Sequence, residues 1–174
     1  MGFNFTFRHV GDRNDLVLLV DFLMKQRLGY PNYEDWVQKA EGEIEGNYKT
    51  AILAFSGGNL VGDLIYQPHK DISRIRELKN MRIHPQVKGR YFSLFMLRQA
   101  EVENREDYDS IICDLHANQR PIFNVLRLMG YSPLTTAPLY DLNVPDTIMI
   151  KCFDKASESG IKYNTEKLIL SKSL

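Results

Sequence analysis

Apolar and polar residues alternate along residues 3–10, where Phe3, Phe5 and Phe7 share one face as in a strand. Gly11-Asp12 then reads as a turn, with Asp12 or Asn14 placed to cap a helix. The spacing that follows is helical: Leu16, Leu19, Val20, Leu23 and Met24 fall on one stripe, which ends near Gly29 and Pro31. A second, acidic helix opens at Asn32 or Tyr33, runs through Glu45 and closes at Gly46, with Trp36 and Val37 packing against neighbours. Residues 48–55 and 60–66 read as two strands, and Ser56-Gly57-Gly58-Asn59 between them is a hairpin signal.

The period changes within residues 75–104. Leu78, Asn80 and Arg82 alternate with Glu77, Lys79, Met81 and Ile83, the two-residue repeat of a strand. From Phe92 onward the apolar residues Phe92, Phe95, Met96 and Ala100 follow helical spacing with one buried face. Pro85 cannot donate to a sheet ladder and disfavours helix at His84, so the strand stops there, and Gly89 allows a tight turn before the helix. Strand, basic glycine-containing turn and helix N-terminus together form an anion cradle: free amide N–H groups and the positive end of the helix dipole converge, with Lys88 and Arg90 alongside.

Past this unit, residues 110–115 form a buried strand and residues 118–129 a short helix with Pro121 near its start and Gly130 at its end. Residues 139–142 and 147–153 close the pattern as two strands. Residues 154–174 lose it, forming a short helix around residues 165–170 or staying mobile. The domain thus spans residues 1–153, with 154–174 a C-terminal tail. The order is strand, two helices, three strands, helix, strand, helix, two strands. Such an order describes an α/β (α+β) domain with a mixed sheet, mostly antiparallel early and parallel around the central helix.

Composition adds bounds. The 174 residues suit one domain, and 22 basic against 22 acidic residues create no global pull toward nucleic acid or anionic membrane. No run of about 18 apolar residues occurs and no signal-type leader is evident, so a cytoplasmic protein is expected. Cys113 and Cys152 lie in apolar strand-like runs and read as reduced, buried thiols rather than a disulfide or a nucleophile. No metal site is expected. The acidic residues Glu34, Asp35, Glu41 and Glu43 form a solvated face, or a surface suited to a cationic substrate.

The central stretch resembles the core motif of the GNAT superfamily of acyl-CoA-dependent N-acetyltransferases, in which a strand ending in V-x-P leads through R/Q-x-x-G-x-G/A into a long helix. Ile83 takes the valine place, Pro85 the proline and Lys88 the Arg/Gln, while Tyr91 stands at the first motif glycine and Ser93 at the Gly/Ala. Asn118 and Leu128-Met129-Gly130-Tyr131 resemble the family's N-x-x-A and G-F unit, and the Gly57-Gly58 hairpin followed by Gly62 resembles the one before its central strand. The resemblance covers about residues 3–153.

It implies the GNAT fold: a central, mostly antiparallel sheet with a splayed parallel pair and helices on both faces. It also implies acetyl-CoA as cosubstrate, with an amine attacking the thioester directly in a ternary complex. Met81 and Ile83 would bond the pantetheine arm, and Lys88, Gly89, Arg90, Tyr91, Phe92 and Ser93 would surround the pyrophosphate, with Asn118 nearby. If the turn follows the family path, Tyr91 turns its ring away from the phosphates, and glycine there would cost stability as a residue of the helix's first turn. Glu77, six residues before Ile83, is the candidate general base; its other reading is a strand-end carboxylate in water or a partner for Arg74, Arg76 or Lys79. His84 and His116 are further candidates, each also readable as a loop histidine. The acid is missing, because the place of the family's helix tyrosine holds Leu126. Two functions stay open: an N-acetyltransferase acting on a small-molecule or peptide primary amine, and a non-catalytic GNAT-fold module that binds an acyl-CoA or mediates interactions. Neither involves nucleic acid or membrane, and a homodimer is compatible with both.

Overall fold

Strand β1 (Phe5–His9) pairs antiparallel with β2 (Thr50–Ser56), which turns through Gly57-Gly58 into β3 (Asn59–Pro68), also antiparallel. Both turn glycines have positive φ, 57° and 82°, as a two-residue hairpin of matching twist demands. The computed structural model describes residues 4–26, 32–116, 119–141 and 143–172. The chain divides into two units, one of Met1–Gln67 and Lys79–Glu103 and the other of Pro68–Leu78 and Asn104–Leu174.

In the first unit, α1 (Arg13–Lys25) begins at Asp12, whose side chain accepts from the Asp15 N–H at 2.9 Å. Asp15 is itself buried and accepts from Arg8 and from the Gly11 N–H. Helix α2 (Tyr33–Glu45) follows. Leu16, Leu19 and Leu23 of α1, and Tyr33, Val37 and Ile44 of α2, pack on Ala51, Leu53, Phe55 and Ile65 of β2 and β3. This is the apolar stripe expected from the sequence, meeting alternate residues of the sheet. The acidic residues of α2 are largely paired within the chain: Glu41 and Glu45 with Arg13 (3.0 and 2.9 Å), Glu43 with Lys49 (2.7 Å). Helix α3 (Phe92–Val102) lies against the other face, where Phe92 meets the rings of Phe5 and Phe7 at 4.8 and 5.7 Å. Phe3 lies outside the described residues. Phe95, expected on the buried face of α3, is 60% exposed, with its ring centre 5.7 Å from that of Phe7.

Strand β4 (Ile75–Ile83) begins in the second unit and ends in the first. Its pairing with β5 (Ser110–His116) is parallel, from Ile75 opposite Ser110 to Leu78 opposite Cys113. Beyond α4 (Arg120–Leu128), β6 (Ser132–Asp141) and β7 (Val144–Cys152) are antiparallel to each other, and β7 is antiparallel to β5. The hydrogen-bonded strand order is β1-β2-β3-β4-β5-β7-β6, a seven-stranded mixed sheet, and the expected α/β order is found.

Beyond shifts of two or three residues at the ends of other strands, β6 and the tail helix far exceed their expected lengths. Strand β6 starts at Ser132, nine residues before Asp141, not at 139, in spite of Pro133 and Pro138. It is the last strand of the sheet order and has register shifts after Pro133 and Ala137, the setting in which strands accommodate proline. Residues 154–174 carry α5 (Glu158–Lys172), a helix of 15 residues rather than a short piece around 165–170. Asp154 accepts from the Ala156 N–H (3.0 Å) and the Ser157 hydroxyl (2.9 Å) just before it. Ile161 then packs on Ile75, Ile112 and Ile150, and Thr165 is fully buried. Tertiary contact supplies what a weak helical pattern lacked.

Candidate functional site

The end of β4 is tied down by backbone. The His84 N–H donates to Val61 C=O at 2.8 Å, and a single 3-10 turn at Pro85–Val87 follows. His84 Nδ1 accepts from the Gln86 N–H at 3.3 Å, so this histidine caps the turn. Gly89 (φ 80°) and Tyr91 (φ 63°) then take left-handed conformations, and Tyr91 is the N-cap of α3 with no side-chain capping bond. Nothing lies within 4 Å of where a Gly89 Cβ would stand. Lys88, Gly89, Arg90 and Tyr91 are exposed, and the Tyr91 ring, 66% exposed, turns to solvent. Phe92 is buried and anchors the helix start, and Ser93 is half-buried. The amides of Phe92 and Ser93, at the first two helix positions, precede any intrahelical acceptor, while those of Leu94 and Phe95 turn back to the Tyr91 C=O (3.0 and 3.2 Å). This is an exposed cationic turn at the positive end of a helix, able to hold an anion.

On β4, Met81 and Ile83 are half-buried. A Cβ on Gly62 of β3 would stand 2.8 Å from the Ile83 Cδ1 and 3.0 Å from the Arg82 C=O, so only glycine lets this part of β4 approach so closely. Glu77 is half-buried and stands opposite Ile112 in the ladder with β5. Asn118 lies outside the described residues. The basic cluster Arg74, Arg76, Lys79 and Arg82 is dispersed: Arg74 pairs with Asp109 (2.8 Å), Arg76 is buried 4.2 Å over the Tyr108 ring, and Arg82 is buried.

Solved structures share this fold. A GNAT-family protein from Desulfovibrio desulfuricans superposes with a TM-score of 0.75 at 13% identity, over 86% of this chain and 99% of its own. A ribosomal-protein-alanine N-acetyltransferase from Brucella melitensis gives 0.68 at 18%, over 85% and 99%. An aminoglycoside 6'-N-acetyltransferase solved with coenzyme A gives 0.65 at 13%, over 84% and 96%. This chain has the GNAT fold. No family model and no curated protein matches its sequence.

Within the GNAT fold, the sequence reading missed a buried polar line beside the cradle strand. Asp63 of β3 is fully buried; its Oδ2 accepts from Asn80 Nδ2, and its Oδ1 has no hydrogen bond among the described residues. Burial pushes its carboxyl up to about 7, against the pull of Asn80 and Arg82. Arg82 Nε donates to Asn80 Oδ1 at 2.9 Å, its Nη1 donates to the Gln26 C=O at the end of α1, and its guanidinium lies 4.8 Å from the Tyr33 ring centre in α2. Asn80 and Arg82 were legible as one strand face; that this face turns inward onto the ends of two helices was not. Leu126 is buried, so α4 presents no acid at that position. Cys113 and Cys152 are free cysteines, Cys113 buried and Cys152 half-buried, and burial pushes both thiols up, away from nucleophilic use. Among the described residues no group of three or more His, Cys, Asp or Glu could hold a metal ion.

Proposed function

We propose that this protein is an N-acetyltransferase that moves the acetyl group of acetyl-CoA to a primary amine by direct attack in a ternary complex. The observation that carries the reading is the turn after β4. Gly89 and Tyr91 in left-handed conformations bring exposed Lys88 and Arg90 to the uncapped N-terminus of α3, in a chain with the GNAT fold. Those residues fit a pyrophosphate: unpaired helix amides, two cations and no side chain in the way at Gly89.

Bound acetyl-CoA supplies an activated acetyl group. The backbone of Met81 and Ile83 binds the pantetheine arm as an added strand, and residues 88–93 hold the phosphates, with Asn118 nearby. Glu77 takes the proton of the attacking amine. A primary ammonium, with a pKa of about 10, is mostly protonated at neutral pH, so a base placed for it raises the rate. The acceptor is a small-molecule or peptide amine, in keeping with solved neighbours named for an aminoglycoside and for a ribosomal-protein alanine. A cytoplasmic setting goes with this reading and with the protonated thiols; among the described residues no helix is long and apolar enough to cross a membrane.

A second reading, a GNAT-fold module that binds an acyl-CoA without turnover, is favoured by the buried Leu126 and by Tyr91 at the first motif glycine. Calorimetry and thermal melting with acetyl-CoA, followed by thiol release with spermidine, an aminoglycoside and an alanyl peptide, decide between them. At about 100 times its dissociation constant, acetyl-CoA stabilises the fold by roughly 2.7 kcal/mol. Binding without thiol release from any amine would establish the module; an absence of binding at millimolar acetyl-CoA would remove both readings.

A further inference from the structure

Asp63 of β3 stands opposite Leu53 of β2, so it shares the sheet face on which α1 and α2 pack. It has no solvent exposure, and its Oδ1 has no hydrogen bond among the described residues. Its Oδ2 accepts from Asn80 Nδ2, Asn80 Oδ1 accepts from Arg82 Nε at 2.9 Å, and Arg82 Nη1 donates to the C=O of Gln26, the C-cap of α1. One relay thus runs from a buried carboxyl on β3, through two side chains of β4, to the end of a helix, all inside the first unit. That helix end depends on it. The Gln26 N–H turns back to the C=O groups of Phe22 and Leu23, the Tyr33 hydroxyl donates to the Leu23 C=O at 3.0 Å, and Arg82 holds the Gln26 C=O beyond them.

Few charges share this face with Asp63. Strand β2 offers Leu53 opposite it, and α1 and α2 turn Leu19, Leu23 and Tyr33 toward the same side of the sheet. Arg8, across from Leu53 in β1, is paired with Asp15, and Lys49 is paired with Glu43 at 2.7 Å. Arg82 is the cation that acts on the Asp63 carboxyl. With a proton on Oδ1 the carboxyl is neutral and the relay holds as it stands. Without that proton, a carboxylate with a single amide bond lies in apolar surroundings, a costly state that a direct guanidinium partner relieves. Arg82 is within reach, because the two strands touch at Gly62, where an added Cβ would stand 3.0 Å from the Arg82 C=O. A bond between two charges outweighs one to a neutral carbonyl, so the guanidinium leaves Gln26 for Asp63.

We propose that Asp63 and Arg82 form a pH-sensitive latch on the end of α1, closed while Asp63 is protonated and opened when its carboxylate draws the guanidinium off the Gln26 C=O. The latch goes beyond acetyl transfer and stands whether or not that reading does. Burial moves the Asp63 carboxyl from 3.8 up to about 7, so the α1 end is held below that pH and released above it. The sign agrees with linkage: a raised carboxyl stabilises the fold fully below its ordinary value, and that stability is lost as pH rises through the folded value.

The test is amide hydrogen exchange of the intact protein at a series of pH values, each rate divided by the intrinsic rate at that pH, with the Asp63 carboxyl carbon followed by NMR. Protection of the Gln26 amide falls by about tenfold as pH rises through about 7, the weight of one charge-assisted hydrogen bond, while that of Met129 at the end of α4 stays level. Asp63→Asn keeps Gln26 protected at every pH. Arg82→Lys, which cannot span Asn80 and Gln26 together, leaves it weakly protected at every pH. Identical profiles at Gln26 in wild type and Asp63→Asn would overturn the latch, as would an Asp63 carbon signal that does not move across the range. If Asp63→Asn fails to fold, the wild type decides alone: the Gln26 and Asp63 signals titrate together, or there is no latch.

Discussion

Residues 75–78 of β4 pair in parallel with β5 and bury Ile75, Arg76 and Leu78, whereas residues 79–83 bury only Arg82 and lead into a turn exposed from Lys88 to Tyr91. The first half is held by carbon: Ile75 packs with Ile112 and Ile150, and the Arg76 guanidinium lies on a tyrosine ring. The second half is held by polar groups, from Asp63 through Asn80 to Arg82 and on to the end of α1. An apolar contact of the first kind hardly responds to pH. A buried carboxyl of the second kind does, so one strand carries a stable end and a conditional end, and the proposed cofactor turn hangs from the conditional one.

The largest effect expected from separating the two halves is catalytic and lies in the first. Glu77→Gln keeps the shape and removes the proton acceptor. Turnover drops by about 10²–10⁴ with acetyl-CoA binding unchanged, and the loss shrinks as pH rises because more of the amine is already neutral. Normal turnover of the variant at pH 7 makes Glu77 a structural carboxylate only.

Next comes the polar half. Asp63 has a folded pKa of about 7 against 3.8 as the ordinary value, so between those limits the folded state holds a proton that the unfolded chain has lost. Stability contributed by the protonated carboxyl is therefore full below the ordinary value and is lost as pH rises toward 7, by up to about 4 kcal/mol. Asp63→Asn removes this dependence: it is more stable than wild type at pH 8, and the advantage shrinks as pH falls from 7 toward 4. Denaturant melts at several pH values measure it, and parallel curves for the two proteins would show that Asp63 does not titrate across this range.

Smaller is the effect of crowding β3 against the end of β4. Gly62→Ala places a methyl 3.0 Å from the Arg82 C=O, a backbone atom that cannot swing aside, and costs about 1–3 kcal/mol. Because the contact is with the second half of β4, the same substitution weakens acetyl-CoA binding more than it affects packing around Ile112.

The smallest effect is at the turn. Sequence reasoning counts Tyr91 in the first helical turn, where glycine costs stability. Its place as a left-handed N-cap reverses the sign, since a side chain there is strained and glycine is not. Tyr91→Gly raises stability by about 1 kcal/mol and leaves acetyl-CoA affinity equal or better. An affinity loss of tenfold or more would mean that the exposed ring is itself a ligand group.

Much of this molecule was written locally. Period-two alternation in residues 77–83, the stop at Pro85, the left-handed Gly89 and the helical spacing from Phe92 are properties of short stretches, and the strand, turn and helix stand where those stretches place them. Asp12 and Gly46 bound their helices for the same reason, because a cap is decided by its own few residues. What tertiary structure decided concerns partners distant in sequence. Strand β6 extends through two prolines because it is a sheet edge, and α5 lengthens because Ile161 finds Ile75 and Ile112. Asp63 meets Asn80, and His116 meets Asp146, thirty residues on, because strand register brings them together. Single-residue chemistry and short-range periodicity are legible along a chain; the burial that raises a carboxyl's pKa or aims an imidazole exists only once register has chosen the neighbours.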